Sequence, residues 1–187
     1  MSAARAPGML RADLMRSETL FPLALAALLL VPSPASAYER QWHAGADLGT
    51  LGAWSGVGMG VSGGVHLSYG VRDYLDLTGA LDVSYHPSSA ALISTGALGV
   101  RFVFDVLQVV PHIGLQAGVG DVAIVGSGCA VGCNAVRFDL ALPFGVDYQL
   151  SRSFTLGVAG KFQLLLANGP ATPMLGAFAR AAYVWGY

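Results

Sequence analysis

Lysine is almost missing from this chain: Lys161 is the only one in 187 residues. Charge of either sign is scarce, at 11% Asp, Glu, Lys and Arg, where soluble domains carry about a quarter. Ten Lys/Arg against eleven Asp/Glu leave no basic footprint for nucleic acid and no polybasic stripe for an anionic membrane surface. Long hydrophobic runs are lacking too. The longest, Leu20 to Val31, falls short of the roughly 20 residues that a helix needs to cross a bilayer. No glycine-rich loop with a P-loop or dinucleotide spacing appears, and no His/Cys cluster has metal-ligand spacing, so neither a cofactor nor a metal is expected.

What is present is apolar. Hydrophobic residues make up 54% of the chain, and 25 glycines argue against helices and for twisted strands with tight turns. An apolar chain without spanning helices points to a closed barrel, because hydrocarbon tolerates no unpaired backbone.

The short apolar run follows Arg11 and Arg16 and precedes Ala35-Ser36-Ala37, an A-x-A cleavage pattern. Residues 1–37 therefore read as a secretory signal peptide, with Met9 and Met15 as alternative starts, and residues 38–187 as one mature domain. The mature part has seven Lys/Arg against nine Asp/Glu, a net charge of −2.

Eight segments of the mature chain alternate with a period of two, the signature of strands whose faces meet different surroundings. Leu75, Leu77, Leu81, Val83 and Tyr85 oppose Asp76, Thr78, Ala80, Asp82 and Ser84. Val136, Phe138, Leu140, Leu142, Phe144, Val146 and Tyr148 oppose Arg137, Asp139, Ala141, Pro143, Gly145 and Asp147. The last segment sets Leu175, Ala177, Ala179, Ala181, Tyr183, Trp185 and Tyr187 against Gly176, Phe178, Arg180, Ala182, Val184 and Gly186. Within the eight segments the charges are Asp47, Asp76, Asp82, Arg101, Asp105, Arg137, Asp139, Asp147, Lys161 and Arg180, all on the small, polar face. The other mature charges are expected in connections or at the N-terminus.

Arg or Lys on a lipid face near midplane costs about 2–4 kcal/mol, so exclusion of charge marks the lipid side. A soluble barrel with an apolar lumen would show the reverse. The expectation is an all-β fold: an eight-stranded antiparallel up-and-down transmembrane β-barrel, preceded by a cleavable signal peptide. Short turns (Gly70–Asp73, Asp105–Leu107, Gln149–Ser153) alternate with longer connections (Thr50–Val57, Pro87–Leu92, Gly120–Ala135, Ala167–Pro173), as periplasmic turns and outer loops do.

On this strand number, this dyad pattern and the closing aromatics, the chain resembles the small eight-stranded outer-membrane barrels of Gram-negative bacteria, the group around outer membrane proteins A, X and W. The resemblance covers Tyr38 to Tyr187. It implies that Tyr183, Trp185 and Tyr187 carry the signal read by the barrel-assembly machinery. No peptidoglycan-binding domain is expected, since the chain ends with the barrel.

The inward charges, with His43, His66, His86 and His112, are expected either to pair and fill the lumen or to line a narrow or proton-sensitive pore; eight strands leave an interior that side chains can fill. His66-Leu67-Ser68 resembles part of the active site of outer-membrane lipid A deacylases, but it lies on the inward face near the periplasmic end, so it is rejected as a catalytic site. Cys129 and Cys133, the only cysteines, are expected to form a disulfide in an oxidising compartment, against a metal site or free thiols. The loops are too small for a large receptor surface. The function expected is a monomeric, non-enzymatic, structural or surface-interaction barrel in contact with outer-membrane lipids. The alternative is a narrow channel for small molecules.

Overall fold

The computed structural model describes residues 40–54, 56–104, 108–124, 135–167 and 171–186. The proposed signal peptide, Asp105, both cysteines and Tyr187 lie outside the described residues. The strands are β1 (Trp42–Ala53), β2 (Gly58–Arg72), β3 (Leu75–His86), β4 (Ala91–Val103), β5 (Val109–Ile124), β6 (Ala135–Ser151), β7 (Phe154–Leu166) and β8 (Thr172–Trp185). They pair antiparallel in sequence order, and β8 returns to β1, closing the barrel.

Closure removes the sheet edges that hydrocarbon would leave unsatisfied. At the seam Trp42 sits opposite Trp185 and Asp47 opposite Arg180. Trp42 stacks on Trp185 with ring centroids 6.4 Å apart, and Tyr69 and Tyr183 extend the cluster. Amphipathic rings at one end of an apolar wall form the girdle expected at a membrane interface.

The two faces divide as the alternation predicts. Large apolar side chains such as Leu48, Leu81, Leu98, Val136 and Val158 stand more than 60% exposed on the wall, whereas Asp76, Ser84, His86 and Asp139 are buried inside. Hydrocarbon, not water, is the solvent that such a wall suits.

Strands run further than the alternation alone suggests, so three of the four longer connections shrink to 54–57, 87–90 and 167–171, and the longest to 125–134. Two charges assigned to connections are in strands. Arg72 ends β2, past a register shift at Gly70, and Asp121 belongs to β5. Asp121 faces outward, between exposed Val119 and inward Val122, and lines a groove with Leu81, Val83 and Val136. It is tolerated there because the β5–β6 ladder ends one pair further on, at Val122 and Ala135, so the carboxylate is at the rim; the cost of a charge falls steeply from midplane to interface.

Pro143 leaves a second mark. The β5–β6 partners skip from Ile113–Phe144 to Gln116–Ala141, because proline offers no N–H to the ladder. Glycine works in the opposite sense at Gly118, where an added Cβ would overlap the Gly96 carbonyl and crowd Ala97.

Candidate functional site in the lumen

The candidate residues meet inside the barrel, in layers. At the loop end, Leu51, Ile93, Leu165, Met174 and Phe178 form a buried apolar layer, with Ala53, Val57 and Val122 packed against it. Nearer the turn end, Val103 and Val110 form a smaller one. Alternation assigns this face to small and polar residues; Leu165, Phe178, Val110 and Val184 are the signal of these layers, being large apolar side chains in the inward register.

Below the Met174 layer, Lys161 Nζ lies 2.6 Å from Asp82 Oδ2 and 5.4 Å from the centroid of the Phe178 ring. Arg101 donates from Nε and Nη2 to Asp76 Oδ2 at 3.0 and 2.6 Å, and its Nη1 is 3.9 Å from Asp147 Oδ2. Arg180 reaches across the lumen. Its Nε is 3.0 Å from Asp47 Oδ1, its Nη2 2.9 Å from His66 Nε2, and its Nη1 2.8 Å from His112 Nε2. His66 Nδ1 is 2.9 Å from Asp47 Oδ2, and His112 Nδ1 is 3.5 Å from Asp147 Oδ2.

The structure thus draws together seven of the ten predicted charges: Asp47, Asp76, Asp82, Arg101, Asp147, Lys161 and Arg180. Arg137 and Asp139 lie nearer the loop end, Arg137 Nη1 donating to Thr172 Oγ1 at 3.2 Å and Asp139 accepting from Gln163 within electrostatic reach of Lys161 and Asp82. His86 is fully buried near that end, held by Ser84 Oγ and the Gly58 carbonyl, each at 3.1 Å. Histidines 66 and 112 prove as central as the charges, a role that alternation gives no means of ranking.

Glycines make room for these groups. Gly45 pairs with His66, Gly64 with Asp82, and Gly157 with Asp147, and a Cβ on any of them would run into that partner's side chain. The space that inward glycines leave is therefore occupied by protein rather than open. At mid-lumen a cavity of about 30 Å³ lies among Asp47, His66, Arg101, Lys161, Phe178 and Arg180, enough for a water or two. A groove of about 760 Å³ lies on the outer wall instead, between Phe144, Val158, Leu175 and Met59.

Ser68 and His66 both point inward, and His66 is committed to Asp47 and Arg180. Among the described residues no group of three His, Cys, Asp or Glu is placed to hold a metal ion.

Known structures repeat this architecture. The chain superposes on Neisserial surface protein A with TM-score 0.60 at 16% identity, covering 78% of this chain and 97% of that one. It matches the N-terminal β-barrel domain of Pseudomonas aeruginosa OprF with TM-score 0.59 at 11% identity, over 79% and 98% of the two chains. The fold is that of a small eight-stranded outer-membrane β-barrel. Outer membrane protein OprG of Pseudomonas aeruginosa shares it at TM-score 0.55 and 10% identity, over 80% and 97% of the chains. So does a transmembrane barrel designed de novo, at TM-score 0.51 and 14% identity over 79% and 97%, which shows how little of this likeness bears on activity. No protein-family model matches the sequence, and no curated protein matches it. The apolar wall and aromatic girdle of this fold suit a barrel whose outer face meets lipid.

Proposed function

We propose that the protein is a structural or surface-interaction barrel of the cell envelope, non-enzymatic and monomeric, with a lumen shut by its own side chains. One observation carries this reading: ion pairs and an apolar layer occupy the lumen, with a cavity of about 30 Å³ among the charges at mid-lumen. Buried charges that satisfy one another suit a plug, since an unpaired one would be costly. Export by cleavage after Ala37 and a Cys129–Cys133 bridge pinching the longest connection belong to the same reading. So does recognition of Tyr183, Trp185 and Tyr187 by the barrel-assembly machinery; Tyr183 and Trp185 stand on the outer wall of the last strand, where a partner can reach them.

A narrow conduit is the second reading, favoured by the water-sized cavity set among Asp47, Arg101, Lys161 and Arg180. Planar-bilayer recording separates the two. A plugged barrel gives no discrete current steps, whereas steps from the purified wild-type protein at neutral pH sink the plug and support the conduit. Cells lacking the protein should be more sensitive to detergent, and an unchanged sensitivity contradicts an envelope-supporting role. Deleting Tyr187 should lower the amount of assembled barrel more than deleting Ala171; equal yields contradict the assembly signal.

A further inference from the structure

The hydrogen-bond directions around Arg180 determine more than packing. A guanidinium has five donors and no acceptor. Arg180 meets Nε2 of His66 at 2.9 Å and Nε2 of His112 at 2.8 Å, so both nitrogens must accept. Both imidazoles are therefore neutral, with their protons on Nδ1: that of His66 donates to Asp47 Oδ2 at 2.9 Å, whereas that of His112 lies 3.5 Å from Asp147 Oδ2, a charge contact rather than a hydrogen bond. The result is a chain, Asp47–His66–Arg180–His112–Asp147, contributed by β1, β2, β8, β5 and β6 in that order. It ties the β1–β2 wall to the β5–β6 wall through one side chain.

We propose that this chain is an acid-released brace: two neutral imidazoles hold the two Nη groups of Arg180 across the lumen, and a proton on either Nε2 expels the Nη group it faces, while Nε stays beside Asp47 Oδ1 at 3.0 Å. The chemistry is a single proton uptake from water. An N–H bond forms at Nε2, the lone pair that accepted from Arg180 is consumed, and two donors of like charge then face each other. The other charged or titratable groups around the imidazoles are Asp76 on β3, Arg101 on β4, Lys161 on β7 and His43 on β1. Arg101 is held by Asp76 at 2.6 Å and Lys161 by Asp82 at 2.6 Å, so neither carboxylate is spare to compensate the new charge. The brace stands whether or not the barrel conducts.

The test is nitrogen-15 NMR of the refolded barrel, reading His66 and His112 ring nitrogens and the guanidinium protons of Arg180. At about pH 7, both histidines should carry the proton on Nδ1, and the Arg180 Nη protons should exchange slowly. On acidification to about pH 4, well under the ordinary imidazole value of about 6.5, Nε2 should gain a proton as the slow Arg180 signals vanish. The double variant H66Q/H112Q keeps an amide oxygen as acceptor at every pH, so its Arg180 signals should survive the same acidification. The brace is overturned by an Nε2–H tautomer at neutral pH, by imidazoles still neutral at the acid end, or by Arg180 signals that persist while the imidazoles protonate. It is equally overturned if acid frees Arg180 in the double variant. The wild-type tautomers decide the matter alone should that variant not insert.

Discussion

Lys161 on β7 and Asp82 on β3 stand on diametrically opposite walls of the barrel, yet their side chains touch, Nζ to Oδ2 at 2.6 Å. Asp82→Asn leaves the ammonium buried without its counter-charge. The expected loss is about 3–5 kcal/mol, as for other buried pairs broken from one side. The double replacement Asp82→Leu with Lys161→Met should recover most of it. Urea unfolding in lipid vesicles measures both, and an unaffected Asp82→Asn would mean the pair contributes nothing.

One residue earlier the register inverts. Leu81 stands 64% exposed on the wall. Leu81→Arg should cost about 2–4 kcal/mol of insertion free energy because a charge at that depth faces hydrocarbon. Asp121→Ala, on the same face at the rim, should be close to neutral. Folded yield into vesicles compares them, and equal effects would contradict the depth assignment.

Pro143 interrupts the β5–β6 ladder at mid-barrel. Pro143→Val restores an N–H and should gain about 1 kcal/mol, the usual net value of one hydrogen bond. A slowly exchanging new amide at position 143, facing the Gly114 carbonyl, together with a higher unfolding midpoint would bear this out; a lower midpoint would show that the ring's packing in the lumen outweighs the missing bond.

Ala90 adopts φ +48° in the turn between β3 and β4, where its N–H donates to the Pro87 carbonyl at 3.4 Å. That region favours glycine, and non-glycine residues held there cost of order 1 kcal/mol or more. Ala90→Gly should therefore stabilise by about 1 kcal/mol in the same unfolding assay, and destabilisation would indicate that the methyl group is held by packing.

The wall was legible in the sequence because its rule is simple. Hydrocarbon rejects charge, so the sorting of Asp82, Arg137 and Lys161 to one face identifies the other as lipid-facing from the sequence alone. Strand ends were less legible. Thr50, Gly52 and Leu92 sit where alternation fades into loop-like composition, yet backbone pairing continues through them. The lumen was the least legible. A period of two says that Arg180 points inward, but which of seven other strands it reaches depends on stagger and on the space that Gly45 and Gly157 leave empty. The same limit hid the Leu51–Met174 layer, since inward apolar residues from four different strands converge only once the cylinder has closed.

That convergence bears on how the barrel reaches its final form. Lys161 with Asp82, and Arg180 with His66 and His112, link strands that are never hydrogen-bonded neighbours in the wall. While the sheet is still open, none of these groups can find its mate, and each keeps its own hydration. Their reward arrives all at once when β8 meets β1. The interior thereby acts as a latch on ring formation, adding a late increment of cooperativity that pairwise zipping of adjacent hairpins could not supply.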